Sequence, residues 1–289
     1  MLHFHALKPY ELSNILPLWQ SVFRDDEKYI RQCLTVFAGP GHVFAAQEEG
    51  RFVAQLLAVP CLAGGVRGAY LFALATAPEF RGKGVMSALM KASEAAMQLE
   101  GAAFFVLIPA EESLYNYYTE RGYTNRVGVR RFSVETQDAG DKEVHITPLV
   151  QRDFMRARET YLPQPWAAFS PPRSEMIARE LEGEGFLFAE SKEAYAIYTA
   201  VNGNLLVPEI GAVSDEAGMA LLHTVAAREQ CSKIVVTVPA AGSLFAGRGV
   251  IGRAGLYKQV SEDVRLPNLY FRFGFDEIVN EAWGISQLK

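Results

Sequence analysis

APEFRGKGVMSALM, residues 77–90, is the stretch that decides how this chain is read. A strand-like run from Tyr70 to Thr76 leads into it, and an amphipathic helix leaves it. A junction of this kind aims backbone N–H groups and the positive end of a helix dipole at an anion. Arg81 and Lys83 bring two cations, while Gly82 and Gly84 keep side chains out of the way. Those are the requirements for holding a pyrophosphate. An exposed strand–helix turn with solvated charges has the same composition, so the loop alone does not choose between the two. Spacing excludes two common phosphate loops. No Ser or Thr follows the Gly82-Lys83 pair where a Walker loop needs one, and the dinucleotide pattern G-x-G-x-x-G is not formed.

The loop resembles the acyl-CoA loop of the GNAT superfamily of N-acetyltransferases, Arg/Gln-x-x-Gly-x-Gly/Ala. Arg81 and Gly84 match, as does the preceding strand ending in x-Pro-x-x-Arg with Pro78. Met86 stands where a small residue is usual, which predicts a more crowded last approach. The resemblance implies that backbone amides of Arg81, Gly82, Lys83, Gly84, Val85 and Met86 bind the CoA pyrophosphate. It also implies that backbone groups of Leu74, Ala75 and Thr76 pair with the pantetheine amides as an added strand would.

Composition narrows the function classes. A net charge of −5 over 289 residues leaves no basic field for nucleic acid. Cys33, Cys61 and Cys231 form no C-x-x-C pair and no metal spacing, which reads as reduced thiols of a cytoplasmic protein without a metal site. MLHFHALKPYELSN has no basic region followed by an apolar core, so it does not read as a signal peptide. No apolar run approaches the roughly 18–20 residues that span a bilayer.

The pattern then repeats. The first half reads as a strand at 2–8, helices near 10–23 and 26–37, and strands near 42–48, 51–60 and 68–76. A helix at 83–99, a buried strand at 102–110, a helix at 111–121 and closing strands from Tyr123 to Val134 follow. TQDAGDKE, residues 136–143, is the linker candidate. After it, strand–turn–helix (143–162), a helix (174–182), three strands (185–191, 194–201, 204–213), a helix (215–229) and a strand (233–240) restate the order. IPAEESLY (108–115) is echoed by VPAAGSLF (238–245), and both are expected to enter a helix. Where the first half has its loop, the second has VSDEAG (213–218), with two acids and no Arg or Lys. Like charges would repel a pyrophosphate there. The expected fold is α+β: two tandem GNAT-like domains, each a mixed, mostly antiparallel twisted sheet flanked by helices. The first, 1–135, carries the acyl-CoA site. The second, 144–289, is degenerate, walls the substrate site and ends in a strand extension containing LYFRF.

By the same resemblance, Tyr118 in YYTERGY (117–123) would donate to the departing CoA sulfur. A phenol with a reference pKa of about 10 can do so. In the second half the matching position falls on Ile251, so that half is expected to be silent. Glu111 stands where family members often carry an Asn that touches pantetheine, and that contact is not carried over. The base is open. The strand position that often holds a Glu is apolar near Phe72 and Ala73. Glu111 and Glu112 either serve as substitutes or serve a helix dipole. Asp25, Asp26 and Glu27 either attract an ammonium or cap the second helix. The expected activity is transfer of an acetyl group from acetyl-CoA to a primary amine of a small molecule or peptide, by direct attack in a ternary complex. A non-catalytic acyl-CoA sensor or scaffold would use the same loop. Neither nucleic acid nor membrane is an expected partner, and a homo-oligomer is compatible with the sequence.

Overall fold

Gly64 and Gly65 both take positive φ, 55° and 81°, in the two-residue turn between paired Ala63 and Val66. Such a turn matches the right-handed twist of the strands it joins. In the computed structural model, which describes residues 1–136, 144–150, 153–162 and 166–261, this hairpin joins β3 (Arg51–Ala63) to β4 (Val66–Thr76). It is the centre of the first of two compact units, Met1–Asn125 with the stretch that begins at Gly255.

In this unit β1 (Leu2–Ala6), β2 (Val43–Glu48), β3 and β4 are successive antiparallel neighbours. β5 (Phe104–Leu107) lies parallel to β4, reached through the crossover helix α3 (Val85–Leu99). Gly68 faces Phe104 across that pair, and a Cβ on it would stand 2.3 Å from the Phe104 ring. Period-two alternation divides the faces. Ala54, Leu56, Ala58 and Leu71 share one core with Val85, Leu89, Met90 and Met97 of α3 and with Tyr118 of α4 (Ser113–Thr119). The other face carries α1 (Leu16–Phe23) and α2 (Glu27–Gln32), with Leu18 in the cluster of Ala75 and Trp19 edge-on to Phe72. The expected helix at 10–23 begins as a 3-10 turn, Pro9–Ile15, and the one at 26–37 ends as a π-helical segment, Cys33–Ala38.

The second unit spans Arg126–Ala254. In chain order it holds β7 (Thr147–Pro148), α5 (Phe154–Tyr161), β8 (Ala167–Ala168), α6 (Pro171–Gly183), β9 (Leu187–Glu190), β10 (Ala194–Val201), β11 (Asn204–Ala212), α7 (Asp215–Arg228) and β12 (Lys233–Pro239). β7, β9, β10 and β11 are successive antiparallel neighbours, and β12 runs parallel to β11. Strand order and polarity are those of β1 to β5.

Two corrections concern the ends of the halves. The closing strands expected at 123–134 are one strand, β6 (Thr124–Glu135), and its residues Val129 to Glu135 pair with β12 of the second unit. Beside β5 lies instead the end of β13 (Val250–Gln259), with Leu256 opposite Leu107 and Gln259 opposite Phe104. β13 thus pairs with a strand of the first unit and β6 with one of the second, and contacts divide the chain at Asn125/Arg126. The linker residues 137–143 and the LYFRF segment lie outside the described residues.

The second correction concerns VPAAGSLF, which enters no helix. Arg130, buried in β6, spends its guanidinium on five carbonyls: Ala240, Gly242, Leu244, Phe245 and Arg248, at 2.6–3.2 Å. The Phe245 N–H donates to Asp215 Oδ1 at 2.6 Å, and Phe245 itself has φ +54°. The carbonyls a helix would use are taken, so the segment is a turn. Ile251 accordingly lies on β13, not on a helix. Arg130→Met should strand several buried acceptors at about 1–3 kcal/mol each. A loss of roughly 3–5 kcal/mol in urea unfolding of the whole chain is expected.

Candidate functional site

After β4 the chain makes a 3-10 turn, Pro78–Phe80, and then the exposed turn Arg81 to Gly84 before α3. Gly82 and Gly84 have φ of +71° and +74°, and a Cβ at either would meet nothing within 4 Å. Backbone conformation, not space, therefore calls for glycine. Gly84→Val should cost about 1–2 kcal/mol, read as a lower urea midpoint, because a β-branched residue resists the left-handed region. α3 starts at Gly84 with no side-chain cap, so the N–H groups of its first turn are free to meet a ligand. Arg81 is held in place: its Nε donates to the Thr76 carbonyl at 3.1 Å. Lys83 lies over the Phe80 ring at 5.2 Å. The side chain of Met86 packs against the core on the α3 side, so the crowding expected from it is turned inward.

The strand before this loop opens. β4 and β5 pair at Gly68, Ala69 and Tyr70, whereas β4 continues along β3 to Thr76. Between the Leu57–Phe72 and Gln55–Ala75 rungs, Leu56 faces both Ala73 and Leu74, which is a β-bulge. Ala73 takes φ +51° there, a strained value for a residue with a Cβ. Leu74, Ala75 and Thr76 thus run from the bulge to the loop along a stretch where the β5 pairing has ended.

Tyr118 lies on α4, in the same core cluster as the start of α3. It is 7% exposed, with its ring edge-on to Tyr117 and Tyr123 at 5.1 and 6.1 Å. Burial pushes its phenol well above the usual range; the neighbouring Tyr117 adds to this and the Arg121 charge opposes it. Sequence reasoning missed the cluster beside it. Arg121 donates from Nε to Ser87 Oγ at 2.9 Å and from Nη1 to the Tyr117 carbonyl, and stacks on the Tyr117 ring at 3.4 Å. Ser87 Oγ and Tyr117 Oη share a hydrogen bond at 3.1 Å. This clamp joins α4 to the first turn of α3 and engages Tyr117 rather than Tyr118. The i, i+4 spacing of Tyr117 and Arg121 was its visible signal.

The acidic candidates separate. Asp26 caps α2, accepting from the Tyr29 N–H at 3.0 Å. Glu27 pairs with Arg31 at 2.6 Å. Asp25 Oδ2 accepts from Trp19 Nε1 at 2.7 Å. Glu111 accepts from Ser113 Oγ at 3.3 Å, and Glu112 supplies no side-chain cap to α4.

The start of α7 occupies the corresponding place in the second unit. There Ser214 Oγ caps the helix, accepting from the Ala217 N–H at 3.1 Å, and Asp215 and Glu216 fill the first turn. One helix start is uncapped and cationic; the other is capped and acidic.

Residues 3–125 match the family model described as an acetyltransferase (GNAT) domain. Solved structures extend the likeness to the fold of most of the chain. A GCN5-related N-acetyltransferase from Kribbella flavida is 19% identical with a TM-score of 0.69, over 90% of this chain and 71% of that one. A conserved protein from Enterococcus faecalis V583, titled a probable N-acyltransferase, is 17% identical with a TM-score of 0.71, over 90% and 73%. Eis1 from Mycobacterium abscessus is 13% identical with a TM-score of 0.70, over 89% and 73%. Comparison with curated proteins finds no match. Among the described residues no helix is long and apolar enough to cross a membrane, and no group of His, Cys, Asp and Glu is placed to hold a metal.

Proposed function

We propose that this chain transfers an acetyl group from acetyl-CoA to a primary amine of a small molecule or peptide. The observation that carries the reading is the uncapped, positive-φ turn at the start of α3, set where β4 outruns β5, within the GNAT-matched residues. Backbone N–H groups from Arg81 to Met86 would take the pyrophosphate, with Arg81 and Lys83 adding charge. Leu74, Ala75 and Thr76 would pair with the pantetheine amides as an added strand. The amine nitrogen attacks the thioester carbonyl, a C–N bond forms and the C–S bond breaks. Of the two protons that leave nitrogen, one goes to a base and one to the sulfur. Tyr118 serves the sulfur as a buried hydroxyl donor, because burial keeps its phenol protonated. The capped, acidic start of α7 supports one cofactor site per chain. A second reading, a non-catalytic acyl-CoA sensor, is favoured by one observation: β4 carries no carboxylate to act as base.

Isothermal titration of the whole chain with acetyl-CoA tests the proposal. Saturable binding at one site per chain is expected. Arg81→Glu should weaken it by about 2–3 kcal/mol, from lost charge-assisted contacts and added repulsion. Absence of binding to the unmodified chain overturns the reading.

A further inference from the structure

Of the three acids after α1, Asp26 is spent on capping α2 and Glu27 on Arg31. Asp25 is not. Its half-buried carboxylate is oriented by the indole N–H of the fully buried Trp19. Aromatic rings surround that indole. Phe23 lies 5.9 Å and Phe72 6.2 Å from it, and Phe72 in turn meets Phe37 and Tyr70. Phe23 and Phe72 both retain exposed surface. A fixed carboxylate among aromatic rings suits an ammonium on an apolar stem. The carboxylate takes the charge, the ring faces attract it, and their edges cover the methylenes.

A second polar group lies in the layer beneath α1. Gln55 faces Ala75 across β3 and β4, two residues along β3 from the Leu57–Phe72 pair, which is about 7 Å. It is fully buried, and neither atom of its carboxamide has a hydrogen-bond partner among the described residues. A polar group of a ligand would satisfy it. Phe72 immediately precedes the bulge at Ala73, where β4 has already parted from β5. Asp25 therefore belongs to the α1 face of that opening, and Tyr118 to the α3 face.

We propose that Asp25 binds the acceptor, taking the ammonium of a primary amine on an aromatic or apolar stem and accepting the proton that frees it for attack. This rests on the transferase reading above. The ammonium gives one proton to the Asp25 carboxylate, and the neutral nitrogen then forms the C–N bond as C–S breaks. The second nitrogen proton ends on the thiol, and Asp25 returns its own to water. Burial, more than the neighbouring Asp26, raises the Asp25 carboxyl above the ordinary range, against the pull of the Trp19 hydrogen bond. That direction favours proton acceptance.

The test uses the whole chain with and without CoA, titrated with 2-phenylethylamine and, for comparison, ethanolamine. The unmodified chain is expected to bind 2-phenylethylamine at least tenfold more tightly than ethanolamine. Asp25→Asn keeps an acceptor for the Trp19 indole; it should weaken 2-phenylethylamine at least tenfold and leave acetyl-CoA affinity and melting temperature unchanged. Asp26→Asn, still able to cap α2, should bind the amine like the unmodified chain. Equal amine binding by the unmodified chain and Asp25→Asn overturns the proposal. So does equal binding of the two amines, or no amine binding by a chain that binds acetyl-CoA; in each case the transferase reading stands. A chain that binds no acetyl-CoA removes that reading and the Asp25 role with it.

Discussion

Tyr118→Phe is expected to bind acetyl-CoA as the unmodified chain does while turnover falls by about two to four orders of magnitude. The substitution removes one oxygen and keeps the ring that packs against Tyr117 and Tyr123. It leaves the Ser87–Tyr117–Arg121 clamp intact, since that network uses the neighbouring phenol. Stability should therefore change little, and a fall in turnover reports the hydroxyl. The pH dependence follows from the direction of the pKa. A phenol raised above its reference value of about 10 stays protonated through that pH, so Tyr118 should add no alkaline loss of activity below it. Single-turnover thiol release, measured across pH in both proteins, makes the comparison. Unchanged turnover would mean that the thiolate leaves without help from Tyr118. Binding without turnover in the unmodified chain would favour the sensor.

Residues 1–136 produced alone are expected not to unfold cooperatively, although they contain the whole stretch that matches the GNAT domain. The fragment lacks the end of β13, which pairs with β5. It would lose the stacking of Tyr257 on Phe104 at 5.9 Å, the Val260 N–H bond to Ala103, and the Lys258–Glu94 ion pair at 2.6 Å. Glu94 is 5% exposed and also accepts from the Tyr123 hydroxyl at 2.8 Å. Lys258 keeps part of its side chain exposed, so losing it leaves the Glu94 carboxylate without its cation at about 1–3 kcal/mol, against a total of about 5–15 kcal/mol for a typical domain. The bare edge of β5, four fully buried apolar residues from Phe104 to Leu107, would also invite aggregation. A thermal melt followed by circular dichroism should show no sharp transition for the fragment and a sharp one for the whole chain. A sharp transition in the fragment would show that β13 is dispensable.

These expectations mark how far local reading reaches. The strands expected at 42–48, 51–60 and 68–76, the helix at 83–99 and the buried strand at 102–110 stand as β2, β3, β4, α3 and β5, with ends shifted by a few residues. Their signals sit within a dozen residues of themselves. The loop was legible for the same reason, because glycines and a helix start are local features. The Ala73 bulge was not, since it is defined by the register of β4 against β3 and no residue type marks it. The Arg130 turn was hidden too: VPAAGSLF resembles a helix entry until a guanidinium more than a hundred positions away takes its carbonyls.

By itself the sequence determined most of the strands and helices, which of their faces are buried, and where a glycine-rich turn opens a helix. Those follow from side-chain periodicity and backbone stereochemistry, which each segment carries within itself. Only the tertiary structure decided that β6 pairs with β12 and β13 with β5, that β4 parts from β5 beyond Tyr70, and which donor each of three neighbouring acids meets: the Trp19 indole for Asp25, the Tyr29 N–H for Asp26 and Arg31 for Glu27. Strand pairing is set by backbone hydrogen bonds common to every residue, and the fate of a carboxylate by whichever donor the packing brings to it.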